Sequence, residues 1–314
     1  MLSLVIPAYN EVESLEELHR ELNSMLQSAA LEAEIVFVDD GSTDGTWSKI
    51  VELAARDSRV RGLRFRRNFG KAVALNAAFT FVHGDPVVTL DADLQDDLKE
   101  IPRMIVKLEE GFDLVSGWRR RRFDPWHKVL LSRFLNWLFG ILSGLKLHDH
   151  NCGLKCYRAS VLKEIKLYGE LHRFITIIVY RQGFRITQLE TRHSRRRHGH
   201  SKYGPIRLLK GLLDLSTIGF LSTFRYRPIH LLGGLGLLAF VGGMLGLALL
   251  AIVWFLDGGP IGVRPLLICS VASVLLGIQI IILGILTELI IAHHLERGGK
   301  DDDQHTILER VGGP

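Results

Sequence analysis

Two acidic runs supply the side chains that could do chemistry here: DDGSTDGT, Asp39 to Thr46, and DADLQDD, Asp91 to Asp97. Each follows an apolar, β-rich run, Glu34 to Val38 and Pro86 to Leu90, so each set of carboxylates stands where a strand ends. Asp91 and Asp93 are one residue apart, and a chain that turns there can aim both at the same ion. Hard divalent cations such as Mg²⁺ or Mn²⁺ take oxygen ligands and commonly complete their shell with substrate phosphates. Gln95 adds a neutral oxygen. A D-x-D pair alone occurs by chance in many loops; its place after a hydrophobic strand gives it weight.

The elements that must position these residues alternate in type. Leu2 to Pro7 reads as a strand, and Glu11 to Leu26 as a helix with Leu15, Leu18, Leu22, Met25 and Leu26 on one face. Glu34 to Val38 is a second strand, Trp47 to Ala55 a helix, Val60 to Phe65 a strand, Lys71 to Val82 a helix and Pro86 to Leu90 a strand. This order predicts an α/β fold with a mainly parallel sheet covered by helices on both faces. Ligands of such sheets bind beyond the carboxyl ends of the strands, where both acidic runs lie.

From Trp118 onward the chain turns basic and amphipathic. Trp126 to Leu147 sets Leu130, Leu131, Phe134, Leu135, Leu138 and Phe139 among Lys128, Arg133 and Lys146, which suits either a bilayer-interface helix or one packed on the sheet. Ile206 to Phe224 has the same character and directly precedes a long apolar stretch, which favours the interface.

Two uncharged stretches follow, Leu231 to Leu256 and Leu266 to Thr287, each long enough to cross a hydrocarbon core of ~30 Å. The Gly- and Pro-containing DGGPIGVRP between them suits a tight turn. Arg225 and Arg227 before the pair and Arg297 and Lys300 after it, against Arg264 alone in the turn, place both ends in the cytoplasm. The expected organisation is a catalytic domain over 1–205, an interfacial region over 206–228, two transmembrane helices over 229–295 and a polar cytoplasmic tail over 296–314, frayed after Lys300. The chain starts directly on a strand, without the basic and apolar regions of a signal peptide.

Outside the hairpin and tail, about 230 residues remain, enough for one large α/β domain. The net charge of +5 is gathered near the apolar region, which points to anionic lipid or a phosphorylated lipid and away from nucleic acid. Cys152 and Cys156 lie in the expected cytoplasmic part and Cys269 in a span, so reduced thiols are expected, and one Cys-x3-Cys pair makes a weak zinc motif. The spacings of His148, His150, His193, His198 and His200 fit no standard ligand set.

VIPAYNE (Val5 to Glu11), VDDGSTDGT (Val38 to Thr46), RNFGK (Arg67 to Lys71), DADLQDD, DHNCGLK (Asp149 to Lys155) and RRHGHSKYG (Arg196 to Gly204) together resemble the family 2 glycosyltransferases of GT-A fold. The narrower resemblance is to the polyprenyl-phosphate branch, the dolichyl-phosphate mannose synthases and bactoprenol-phosphate glucosyltransferases. It spans the first 205 residues, and the trailing hairpin fits that branch.

The resemblance implies an inverting membrane enzyme of the cytoplasmic (inner) membrane that moves a hexose from UDP-glucose or GDP-mannose to undecaprenyl or dolichyl phosphate. Pro7, Tyr9, Glu11, Val38 and Asp40 would border the nucleotide, while Asp39 would brace the loop. Asp91, Ala92, Asp93 and Gln95 would hold the metal and diphosphate, with Arg119, Arg196 and Lys202 on the phosphates. Lys128 and Arg133 stand where relatives carry an acceptor-side arginine, and with Lys202 they would meet the acceptor phosphate. Asp149 would be either a base or the anchor of a cationic side chain such as Lys155 or Arg158; Asp93, Asp149 and Arg196 form the expected catalytic group. A homotetramer is also implied. A processive polysaccharide synthase would show Q-x-x-R-W and more spans, and a non-catalytic scaffold of the same fold would not need intact acidic motifs.

Overall fold

The computed structural model describes residues 1–120, 140, 144–167, 169, 171–192, 229–257, 265–296 and 307–312. They form two compact units: one holds the sheet and includes residues 307–312, and the other holds the two apolar helices.

The first unit is built on an eight-stranded sheet. Its strands are β1 (Leu2–Ala8), β2 (Ala33–Asp39), β3 (Val60–Phe65), β4 (Val87–Thr89), β5 (Leu114–Arg119), β6 (Lys155–Tyr157), β7 (Ile186–Thr191) and β8 (Ile307–Val311), in spatial order β7-β5-β6-β4-β1-β2-β3-β8. Pairing is parallel except for β6, antiparallel to β4 and β5, and β8, antiparallel to β3. Strand parity divides the core. Leu4, Ile6, Ile35 and Phe37 face α1 (Val12–Ser28), α2 (Thr46–Arg56) and α4 (Ile101–Glu109). Val5, Val36, Val38 and Leu63 face α3 (Lys71–Phe81), α5 (Ala159–Glu164) and α6 (Ile175–Arg181). Because β1 and β2 are covered on both faces, they read as almost unbroken apolar runs. Helix α3 is rich in alanine, and its buried Ala72, Ala74, Ala77 and Ala78 let it lie close on the sheet.

One sequence expectation is corrected. The tail is not frayed throughout: Ile307–Val311 is β8, the edge strand beside β3, with Gly62 opposite Val311 and Arg64 opposite Glu309. A Cβ on Gly62 would stand 2.8 Å from both Ile50 Cγ2 and Val311 Cγ1, so glycine there permits α2, β3 and β8 to close together. Its five residues, flanked by polar ones, carry too little pattern to announce a strand whose partner is so distant in sequence. Of the amphipathic stretch Trp126–Leu147, Gly144–Leu147 is irregular and most of the rest lies outside the described residues, as does Ile206–Phe224.

The second unit is a helical pair, α7 (Ile229–Asp257) and α8 (Pro265–Glu296). Their apolar windows, Leu231–Leu256 and Pro265–Ile290, are only 17% and 11% buried, unlike core helices of a soluble domain, which are mostly buried. Large side chains such as Leu238, Phe255, Ile268 and Ile290 stand exposed, and the unit is made for a lipid environment. Small residues form the seam: a Cβ on Gly236 would fall 2.7 Å from the Gly277 carbonyl oxygen, and one on Gly243 2.6 Å from that of Ser270.

Candidate active site

The loops that leave β1, β2 and β3 at their carboxyl ends are tied into one rim. Asn10, at φ 53°, turns the chain so that its N–H donates to Ser42 Oγ (2.9 Å) while its Oδ1 accepts from Thr43 N–H (2.9 Å). Glu11 N–H donates to Thr46 Oγ1 at 3.0 Å, and Asp44 accepts from Thr46 N–H (3.1 Å) and Val12 N–H (3.3 Å). Gly41, at φ +71°, packs so tightly on the third loop that a Cβ would lie 2.3 Å from the carbonyl carbon of Arg67. Pro7 and Tyr9 are half-buried on this rim.

The adjacent aspartates at the end of β2, expected to divide between nucleotide and loop, both hold backbone N–H groups of the rim. Asp40 accepts from Phe69 N–H (2.7 Å) and Gly70 N–H (3.0 Å), so it braces the RNFGK loop, and burial pushes its carboxyl up to about 6. Asp39, wholly buried, accepts from Ser42 N–H at 2.9 Å and lies 3.6 Å from Arg64 Nε. Bracing was expected of Asp39 alone; both do it. Val38, expected to close the nucleotide pocket, is fully buried in the α3-facing core, because strand parity turns its side chain away from the rim. Ala92 is likewise a core residue.

Beyond β4 the chain folds sharply. Leu94 takes φ +58°, unusual for a branched side chain, and it buries itself while bringing Gln95 N–H to Asp93 Oδ1 at 3.3 Å. The turn gathers Asp91, Asp93 and Asp96. Burial, with Asp91 and Asp93 alongside, pushes the Asp96 carboxyl up to about 7. Burial acts on Asp91 in the same sense, but the ion pair with Lys71, at the start of α3, holds it below the usual carboxylate range. Gly153 completes the setting: a Cβ there would stand 2.5 Å from Asp91 Oδ2. Asp97, next door, serves the backbone, capping the following turn through Lys99 N–H at 3.1 Å.

These residues fit a divalent cation. The donors are oxygens, and carboxylates crowded enough to hold a proton near neutrality are relieved by a positive ion. Among the described residues no three His, Cys, Asp or Glu side chains form a ready-made metal cage. That suits an ion held by one or two carboxylates and completed by substrate phosphates.

The other wall is cationic. Arg119, at the end of β5, meets Asp149 through Nε to Oδ2 (2.9 Å) and Nη2 to Oδ1 (3.3 Å), and it also donates to the Asn151 carbonyl (3.1 Å). Lys155, the first residue of β6, is buried with its ammonium on the Cys152 carbonyl; it has no carboxylate partner among the described residues, and burial lowers it to about 8. His172 stands within electrostatic reach of Lys71, Asp91 and Lys155, with a buried Nδ1 that finds no hydrogen-bond partner, and burial holds it neutral. Arg158, considered for the phosphate, is instead spent on the carbonyls of Phe112 and Leu108.

Cys152 and Cys156 are free buried thiols pushed up to about 12 by burial, unsuited to zinc. His150 bonds Thr176 Oγ1 at 3.0 Å and His148 stacks on Trp118, both in structural roles. Arg196, Lys202, Lys128, Arg133, His193, His198 and His200 lie outside the described residues. The sequence reading missed Asp96, Lys71, Gly153 and His172 as site residues. Lys71 and Gly153 sat inside motifs it used, whereas His172 carries no spacing signal at all.

Residues 3–166 match the model of Glycosyl transferase family 2. The chain belongs to that family. It is 39% identical over 299 residues to the dodecaprenyl-phosphate galacturonate synthase of Rhizobium johnstonii (strain DSM 114642 / LMG 32736 / 3841), covering 92% of this chain and 87% of the relative. Among solved structures, glucosyl-3-phosphoglycerate synthase from Mycobacterium tuberculosis, in complex with Mn²⁺, UDP and phosphoglyceric acid, aligns at TM-score 0.54 and 19% identity over 71% of this chain and 78% of that one. A mannosyltransferase from Pyrobaculum calidifontis, in complex with GDP-Man and Mn²⁺, aligns at 0.51 and 19% over 71% and 64%. The sheet unit of this glycosyltransferase therefore has the GT-A fold, with two apolar helices appended.

Proposed function

We propose that this glycosyltransferase moves one hexose from a nucleotide sugar to a polyprenyl phosphate at the cytoplasmic face of the inner membrane, with inversion and with Mg²⁺ or Mn²⁺. The observation that carries this reading is the Asp91–Asp93–Asp96 turn facing Lys71 and the Arg119–Asp149 pair, in a chain that also bears two lipid-suited helices. The 39% identical relative, named for a dodecaprenyl-phosphate product, supports the lipid acceptor.

Asp91, Asp93 and Gln95 would hold the ion, with Asp96 beside them, and the ion would neutralise the departing nucleoside diphosphate. Lys71 and Arg119 add fixed positive charge at the same edge. Asp149 is wholly buried and both its oxygens accept from Arg119, so its role is to orient that guanidinium rather than to take a proton. The acceptor needs little help from a base, because a phosphate monoester with a second pKa of about 6 is largely dianionic at neutral pH. Alignment and charge stabilisation then carry most of the rate. Arg196, Lys202, Lys128 and Arg133 remain assigned to the phosphates, and Tyr9, Pro7 and Glu11 to the nucleotide.

Lys155 favours an acidic sugar. A buried ammonium beside the site, hydrogen-bonded among the described residues to a carbonyl alone and with Asp149 only within electrostatic reach, suits the carboxylate of a hexuronic acid, the sugar type in the relative's name. The hairpin is assigned two crossings, since the chain leaves the sheet after β7 and returns to it at β8, and an even number of crossings keeps both flanks on one side. We assign that side to the cytoplasm from the arginines and lysine that flank the pair.

The deciding experiment incubates purified full-length protein with polyprenyl phosphate, Mg²⁺ or Mn²⁺, and UDP-glucose, UDP-galacturonate or GDP-mannose, reading the lipid product by mass. A single added sugar that disappears with EDTA is expected, a hexuronate where Lys155 reads the donor; a neutral hexose transferred in preference removes that role of Lys155 alone. No lipid product from any donor, or one indifferent to chelation, removes the proposal.

A further inference from the structure

The strand that follows the second apolar helix carries a carboxylate that the catalytic reading does not use. Glu309 lies opposite Arg64 in the β3–β8 ladder, and its oxygens take different donors: Oε2 accepts from Trp47 Nε1 at 2.5 Å and Oε1 from Arg64 Nη1 at 3.2 Å. On its other side Arg64 turns its Nε toward β2, where Asp39 is its partner in the ladder and Oδ2 lies 3.6 Å away. Asp39 is completely buried, and that oxygen has no hydrogen-bond partner. A buried carboxylate oxygen in this state is costly without a cation nearby, and Arg64 is the cation that stands there.

From Asp39 the connection runs into the rim. Its Oδ1 accepts from Ser42 N–H, Ser42 Oγ accepts from Asn10 N–H, and Asn10 Oδ1 accepts from Thr43 N–H. The docking of β8 is also built in: Gly62 leaves space for Val311, and Gly312, at φ +83°, lets the chain pass the Val60 carbonyl oxygen, which a Cβ would approach to 2.6 Å.

We propose that Glu309 is a positioning residue for the donor nucleotide: by holding Arg64 against Asp39, the strand beyond the apolar helices sets the β1 and β2 loops that cradle it. This rests on the reading that those loops bind the nucleotide. The C-terminal segment thereby becomes part of the donor site, although it lies on the far side of both apolar helices in sequence.

The test uses the full chain in detergent or nanodiscs, with Mn²⁺ and UDP or GDP as probes by calorimetry, beside donor and acceptor kinetics. Glu309→Gln is expected to weaken nucleoside diphosphate binding about fivefold and to raise the donor KM alike, with kcat and acceptor KM unchanged. Arg64→Gln should give at least the same loss, and the double variant no more than Arg64→Gln alone. If Glu309→Gln or Arg64→Gln binds nucleotide as the wild type does, the proposal falls. A lower melting temperature with unchanged Kd and donor KM overturns it equally, since β8 would then be only a sheet edge. Wild-type protein that binds neither UDP nor GDP removes the functional reading itself, a separate outcome.

Discussion

Arg119 and Asp149 form a two-point ion pair at the end of β5, 2.9 and 3.3 Å, with the carboxylate wholly buried and the guanidinium reaching toward the site. Such a pair acts as one unit. Asp149→Ala and Arg119→Ala should each cost about a hundredfold in kcat/KM, and the double variant should cost no more than Arg119→Ala alone. Additive losses, or an acidic limb of the pH–rate profile that vanishes only in Asp149→Ala, would show Asp149 acting as a base.

Position 153 needs glycine because Asp91 packs against its Cα. Gly153→Ala places a methyl 2.5 Å from Asp91 Oδ2, so the carboxylate must shift. Mn²⁺ affinity by calorimetry or electron paramagnetic resonance should weaken about tenfold or more while the melting temperature changes little. Unaltered affinity would remove Asp91 from the metal site.

Lys71 competes with the metal for Asp91. Lys71→Met therefore should bind Mn²⁺ more tightly in the absence of nucleotide, by severalfold, because the ion no longer displaces an ammonium. Weaker binding in this variant would mean that Lys71 supports the ion rather than opposing it.

Asp40 predicts a pH dependence of stability. Burial raises its folded value to about 6 from an ordinary 3.8, so its neutral form is favoured in the fold. Its contribution is complete below about pH 4 and is lost as pH rises through about 6, by at most about 3 kcal/mol. Asp40→Asn should flatten this part of the melting curve against pH. An equal slope in both proteins would assign it elsewhere.

Much of the sheet domain is legible in the chain. Val60–Phe65 is readable to the residue, and β1, α1, β2, α2 and α3 to within about two, because strands buried on both faces read as short apolar runs and α1 and α2 carry the ~3.6-residue period of amphipathic helices. Strand β8 is not legible, since five residues at a sheet edge gain their order from β3 and from the space above Gly62. A chain cut after Arg227 would lose this strand along with both apolar helices, so it cannot isolate their anchoring role.

Residue types and their order determined an α/β sheet with carboxylates at its strand ends and two lipid-suited helices, and it was the resemblance of whole motifs that pointed to family 2. Only the tertiary structure decided which member of each acidic pair does what. Asp39 and Asp40, told apart only by resemblance, and Asp96 and Asp97 are chemically alike, and strand parity, the left-handed turn at Leu94 and the approach of loops from elsewhere in the chain send one toward the site and the other into the scaffold, or both into it. The partners of Asp149 and Asp39, Arg119 and Arg64, were equally beyond reach from sequence, because which cation neutralises a buried carboxylate is fixed by where separate strands end in space.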